Sequence, residues 1–265
     1  MRWENLTPPQ FTALAANEKL CILPIACLER HGDHLPFGTD GLIVHHIACK
    51  AAELEPCVVF PTHWFGQIHE DACFPGAIAL PSRLTLEILE ALLNQIARNG
   101  FSKILILNGH GGNNALLDYF AISNVDVPRD YALYVIKYPS DVSPRHAELV
   151  KQLITTPIGH ACEWETSLVM AVAPDAVKME NHTYPEPILP KGRLTHLKGV
   201  TSGLNWYADY PEQVVGAPSA ASAETGAQLI DAMVHDLADT LRKIKSDTEM
   251  PTLKREFLAR CAKKL

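Results

Sequence analysis

Ile104-Leu105-Ile106-Leu107 constrains this chain more than any other stretch. It is wholly apolar, four residues long and bracketed by helical patterns. It is too short for a helix and lacks the alternation of a strand that faces water on one side. A run of this kind predicts a central strand of a parallel sheet, buried on both faces. Leu20-Cys21-Ile22-Leu23-Pro24-Ile25-Ala26-Cys27, Cys57-Val58-Val59-Phe60 and Tyr131-Ala132-Leu133-Tyr134-Val135-Ile136 read the same way. Between them, apolar residues recur at helical spacing. Ile43, Val44, Ile47, Ala48, Ala51 and Ala52 form one stripe, stopped by Pro56; Leu84, Ile88, Leu89, Leu92, Leu93 and Ile96 form another, with Ser82 as expected N-cap and Gly100 as stop. Further helices are expected from Phe11, over 145–154, over Leu168–Val172, and behind Ser222 along Leu229, Ile230, Met233, Val234, Leu237 and Leu241. The alternation argues for one α/β domain with a mostly parallel sheet. Residues 174–220, rich in Pro and Gly, read as irregular chain that wraps the surface or reaches a neighbouring subunit.

Composition excludes several functions. With 265 residues and 47% hydrophobic content the chain can bury a full core without staples. Its net charge is −7, and Lys/Arg runs are short pairs toward the end of the chain, at Arg242-Lys243, Lys254-Arg255 and Lys263-Lys264, so no nucleic-acid partner is expected. No apolar run approaches the ~20 residues of a membrane span, and Met1-Arg2-Trp3-Glu4-Asn5 lacks the order of a signal peptide. Seven cysteines without a C-x-x-C argue for a reducing, cytoplasmic setting. Cys21, Cys27 and Cys57 read as small core residues. Twelve histidines are the one oddity, and many lie in three polar clusters.

The first cluster leaves the end of the first strand: Glu29-Arg30-His31-Gly32-Asp33-His34-Leu35-Pro36-Phe37-Gly38-Thr39-Asp40. In extended chain Glu29 and His31 face one way and Arg30 the other, and Gly38 lets the backbone bring Asp40 back. Nitrogen and oxygen ligands converging this way suit zinc, manganese or iron(II). The second cluster, Asn108-Gly109-His110-Gly111-Gly112-Asn113-Asn114, follows the central strand. A phosphate loop is the rival reading, but neither G-x-x-x-x-G-K nor G-x-G-x-x-G is present. The third, Gly159-His160-Ala161-Cys162-Glu163-Trp164-Glu165-Thr166-Ser167, leads into an apolar helix. All three are expected along one edge of the sheet. In the loop 61–70, His69 is a candidate to border the site or an ordinary loop residue.

Taken together, Glu29-x-His31, Leu35-Pro36-x-Gly38-Thr39-Asp40, Asn108-Gly109-His110-Gly111-Gly112-Asn113 and His160-Ala161-x-Glu163-x-Glu165-Thr166-Ser167 make the chain resemble the creatininase (creatinine amidohydrolase) family over nearly its whole length. Gly199-Val200 and Ser222-Ala223-Glu224-x-Gly226 are weaker echoes. The resemblance implies a three-layer α/β/α fold over 1–265, a homohexamer, and two divalent metal ions per chain that hydrolyse a C–N bond in a small cyclic amide or formamide. It implies that Glu29, Asp40 and His110 hold one metal, and His31 with a bridging Asp40 the other. Creatininase itself carries a metal-binding glutamate where this chain has Gly112. The sequence is therefore more similar to the branch with N-G-H-G-G-N, which includes formamide hydrolases, a mycofactocin-processing peptidase and a hydrolase of inositol breakdown.

From the residues, the expected mechanism is attack by a hydroxide shared between two metals ~3.5–4 Å apart, with an imidazole protonating the leaving nitrogen. His160 is the expected donor and His34 the second candidate. Because Gly112 cannot ligate, a carboxylate must come from elsewhere. Glu163, nearer the loop, is the expected ligand, and Glu165 is expected to bond backbone amides or orient His160. Hydrolysis of a lactone or activated C–C bond, or a non-catalytic metal-stabilised scaffold, are the alternatives; a serine hydrolase lacks its G-x-S-x-G.

Overall fold

The computed structural model describes residues 1–262, and Lys263-Lys264 of the basic tail lie outside the described residues. Strands β1 (Leu20–Ile25), β2 (Val58–Val59), β3 (Lys103–Asn108) and β4 (Ala132–Ile136) form a parallel sheet in the order β2-β1-β3-β4. β1 and β3 pair residue for residue, from Leu20 opposite Lys103 to Ile25 opposite Asn108. Consecutive apolar residues serve both faces because strand side chains alternate. Around the sheet run α1 (Pro8–Asn17), α2 (Thr39–Leu54), α3 (Ser82–Arg98), α4 (Asn113–Ser123), α5 (Pro144–Leu153), α6 (Glu163–Val172), α7 (Asn205–Asp209), α8 (Ala223–Ser246) and α9 (Glu249–Cys261).

Leu20, Ile22, Leu105 and Leu107 pack on one face with Ile47 of α2, Leu168 of α6 and Leu237 of α8. Cys21, Leu23, Ile104 and Ile106 pack on the other with Leu89, Leu93 and Ile96 of α3 and Leu117 and Phe120 of α4. The result is helix, sheet, helix. An aromatic group closes the second layer near the start of the chain, with the ring of Trp3 4.6 Å from Phe11 and 5.6 Å from Phe101. No described helix is long and apolar enough to cross a membrane.

Two helix starts differ from expectation. Pro81 takes the extended N-cap position of α3, so Ser82 lies inside the first turn and makes no capping bond. By contrast, Ser222 Oγ does cap α8, accepting the Thr225 N–H at 3.1 Å. The second difference matters for the site: α6 begins at Glu163, one helical turn and more before its apolar stretch. Residues 174–220 are mostly irregular, and they are pinned across the loops of the polar clusters. Val215 N–H donates to the His160 carbonyl (2.7 Å), Gly32 N–H to the Gln213 carbonyl (2.9 Å) and Lys178 N–H to the His34 carbonyl (2.8 Å).

α6 and α8 approach most tightly at Gly226, where an added Cβ would lie 1.9 Å from the Ser167 carbonyl oxygen. Backbone on both sides leaves nothing flexible to move. Gly226→Ala is therefore expected to destabilise the fold by about 3 kcal/mol, read as a lowered midpoint in urea unfolding; an unchanged midpoint would show that the two helices can slide apart freely.

Candidate metal centre

Glu29 lies beyond the carboxyl end of β1 and His110 beyond that of β3, the neighbouring strand. Asp40 enters from the first turn of α2, where a carboxylate also suits the helix dipole. All three are buried, as are His31 and Glu165. The Asp40 carboxylate stands between two imidazoles: Oδ1 is 3.2 Å from His31 Nε2, and Oδ2 is 3.1 Å from His110 Nδ1. Glu29 Oε2 lies 2.8 Å from the same His110 nitrogen.

The outer nitrogens fix the tautomers. His110 Nε2–H donates to the Gln67 carbonyl at 2.8 Å, and His31 Nδ1–H to the Glu29 carbonyl at 3.2 Å. Each ring thus turns its other nitrogen toward the carboxylates, the arrangement that metal-ligating histidines use. His31 Nε2 is buried and has no hydrogen-bond partner of good geometry. It points at Asp40 and, 3.9 Å away, at Glu165 Oε2. Three sets of donor atoms lie within 4.8 Å of one another: Cys27, Glu29, Asp40 and His110; Glu29, His31 and His160; and His31, Asp40 and Glu165. Two of these share Asp40 and two share Glu29. An orphaned imidazole nitrogen facing buried carboxylates fits a divalent cation, and the mixed nitrogen and oxygen set suits one of the first-row ions.

The electrostatics agree. Burial disfavours a charged His31, but Asp40, Glu29 and Glu165 override it and push its pKa up to about 10. Burial also opposes charge on His110, and Glu29, Cys27 and Asp40 reverse it in the same way. Burial raises the Asp40 carboxyl, yet His31 and His110 hold it well below the usual carboxylate range. For Glu165 burial wins, and its carboxyl is raised. A field strong enough to hold protons on two buried imidazoles will also draw in a cation.

The structure separates the two glutamates of α6 in the opposite sense to the sequence expectation. Glu163 is turned away from the cluster. Its carboxylate accepts bonds from the backbone and hydroxyl groups of Thr155 and Thr156, at 2.8–3.2 Å. Glu165 faces the site instead. The reason is helical phase: both residues lie inside α6, and positions two apart differ by about 200° around the axis. Glu165 Oε2 also accepts the Ala161 N–H at 2.5 Å. Ala161 itself lies in the left-handed region, at φ 51°.

His160 lines the pocket above the cluster, its ring 4.0 Å from that of His31. Its Nε2 lies 2.8 Å from the Arg30 carbonyl and 3.5 Å from Glu29 Oε1. His34 does not line the pocket: Nε2 bonds Thr166 Oγ1 at 3.0 Å, and burial, with His182 and His31 nearby, lowers its pKa to about 4. His69 is exposed and hydrogen-bonds Gln67, while its neighbour Glu70 lines the pocket. Arg30 faces away from the Glu29, His31 and Asp40 cluster, as alternation requires, pairing with Asp33 at 2.8 Å and lying 4.7 Å over the Phe74 ring.

Cys27, read from the sequence as a small core residue, reaches the site, as do Glu70, Tyr138 and Trp206, which carry no signal there. Cys27 Sγ sits 3.4 Å from Glu29 Oε2, its thiol pushed well up by burial. A buried cysteine two residues before the Glu29 of the first polar cluster was the available signal for it. The other three come from a three-residue 3-10 turn, a loop and a five-residue helix, where no periodicity marks them. The pocket measures about 420 Å³, the size of a small-molecule site.

A buried, carboxylate-rich metal centre at the strand ends of an α/β/α sheet defines a metal-dependent hydrolase. The family model described as Creatininase, creatinine amidohydrolase, matches residues 4–241, and the chain belongs to that family. It is 25% identical to 3-dehydro-scyllo-inosose hydrolase of Thermotoga maritima, over 91% of this chain and 83% of that one. It is 23% identical to creatinine amidohydrolase of Pseudomonas putida, over 90% and 95%. A solved manganese creatininase shares the fold with a TM-score of 0.74 at 22% identity, covering 93% of this chain and 99% of that chain.

Proposed function

We propose that this enzyme hydrolyses a non-peptide C–N bond, in a small cyclic amide or a formamide, at a two-ion divalent metal centre held by Glu29, His31, Asp40, His110 and Glu165. The observation that carries the reading is the Asp40 carboxylate, with one oxygen toward His31 and the other toward His110. Bound there, divalent ions would acidify a water and polarise the carbonyl it attacks. The chain's own groups do the rest. Asp40 would serve both positions, with Glu29 and His110 holding one ion and His31 and Glu165 the other. His160 is the group we assign to protonate the leaving nitrogen, because it carries an imidazole to the pocket wall, with Nε2 held between Arg30 and Glu29.

A second reading, hydrolysis of a lactone or an activated C–C bond in the same pocket, draws on the inosose hydrolase relative, whose name contains no amide. A homohexamer in the cytoplasm remains our expectation for the assembled enzyme.

The test is prolonged chelation, then assay of a panel of cyclic amides, formamides and lactones. Chelation is expected to abolish turnover, and zinc, manganese or iron(II) to restore it to different degrees. Release of ammonia, amine or formate marks the C–N chemistry. Stability should fall much less than activity, because the core does not depend on metal. Global unfolding on mild chelation would point to a structural site instead.

A further inference from the structure

Gly112, lacking a Cβ, lets the His110 ring and the Glu70 carboxylate both pack close against its backbone. A Cβ at position 112 would lie 2.4 Å from His110 Nε2 and 2.9 Å from Glu70 Oε1. Glu70 lines the pocket but belongs to none of the metal-competent sets. Among the described residues its one hydrogen-bonding partner is Gln67, whose Nε2–H₂ lies 3.0 and 3.3 Å from the two carboxylate oxygens and 3.4 Å from the Gly112 carbonyl. A single amide leaves most of the acceptor capacity of a carboxylate unused. The three other carboxylates of the pocket, Glu29, Asp40 and Glu165, are committed to the metal centre. Glu70 is therefore the surplus negative charge, and no lysine or arginine lines the pocket among the described residues.

We infer that Glu70 is a specificity-determining residue that accepts a hydrogen bond from a donor group on a neutral or cationic substrate ring and rejects anionic substrates. The donor can be an amine, an amidine or a hydroxyl; the shared chemistry is an N–H or O–H turned away from the scissile bond. An acceptor with no competing cation rewards such a group, and it repels a carboxylate or phosphate. The inference rests on the hydrolase reading above for what lies opposite Glu70, but not for the discrimination itself.

The experiment measures binding by calorimetry to the metal-loaded protein and to its Glu70→Ala and Glu70→Lys variants. Creatinine and 1-methylhydantoin form a matched pair, since the amino group of the first is an oxo group in the second. Myo-inositol supplies hydroxyl donors, and dihydroorotate is an anionic cyclic amide. The native protein is expected to bind creatinine or myo-inositol about 10-fold or more tighter than 1-methylhydantoin, the scale of a hydrogen bond to a charged group. It should exclude dihydroorotate. Glu70→Ala should bring the ratio to about 1, and Glu70→Lys should admit dihydroorotate. Metal content should be the same in all three proteins. An unchanged ratio in Glu70→Ala, or native protein that binds all four probes alike or none of them, would overturn the inference. So would loss of metal from Glu70→Ala, because Glu70 would then be a ligand. A native protein that refuses metal but still discriminates through Glu70 would overturn the hydrolase reading alone.

Discussion

Asp40→Ala is expected to strip the protein of both divalent ions and lower turnover by roughly 1,000-fold or more, about 4 kcal/mol of lost transition-state stabilisation at 1.36 kcal/mol per tenfold. The expectation follows from position. Among the described residues Asp40 is the one carboxylate that lies within 3.2 Å of both His31 and His110, so in the two-ion reading it would serve both ions. Removing it also removes the largest favourable influence on the His31 proton, so the His31 pKa should fall from the value of about 10 that Asp40, Glu29 and Glu165 together give it. The Asp40→Asn variant keeps the shape and loses the charge, which separates metal binding from packing. Elemental analysis, circular dichroism and the pH titration of His31 by NMR together decide the matter. A folded Asp40→Ala protein that kept two ions and full activity would remove the central claim.

The second large effect is a contrast between two glutamates of one helical turn. Glu165→Gln is expected to lose about one ion per chain and nearly all turnover, since Glu165 is the carboxylate that joins His31 and the shared Asp40 in one metal-competent set. Catalytic sites normally hold an ion with three protein ligands and water. Glu163→Gln should keep both ions and most of the activity, and lose stability instead. Its carboxylate accepts from both the Thr155 and Thr156 backbone amides. A glutamine there turns an NH₂ toward N–H donors, costing about 2 kcal/mol. Metal content and urea unfolding, measured on both variants, read the two roles independently. If Glu163→Gln lost the ion and Glu165→Gln kept it, the orientation of the two side chains in α6 would be the wrong guide to ligation.

The same pair of residues shows where sequence reasoning stops. The apolar stretch Leu168–Val172 announces a helix, but the polar residues before it carry no periodic signal. Placing the helix start at Glu163, with Cys162 as N-cap, reverses which carboxylate faces inward. The available hint was Glu165 itself, three residues after the cap, where a first-turn glutamate reaches back to backbone amides. In the structure it reaches the Ala161 amide and the metal centre with the same carboxylate.

Other parts of the protein were legible in the amino-acid order alone, because local physics suffices for them. A four-residue run such as Ile104–Leu107 has to be covered on both faces, and that requirement alone implies helices above and below a parallel sheet. Glu29, His31 and Asp40 are close in sequence, and a strand end with one turn is enough to converge them. His110 follows the adjacent strand, so pairing of β1 with β3 carries it to the same edge. Glu70, Trp206 and the helical phase of α6 depended instead on tertiary structure. Glu70 has meaning only beside Gly112, 42 positions later, and Trp206 only because an irregular segment is pinned over the His160 loop. Such contacts arise from how distant loops pack, and no periodicity in the chain encodes that.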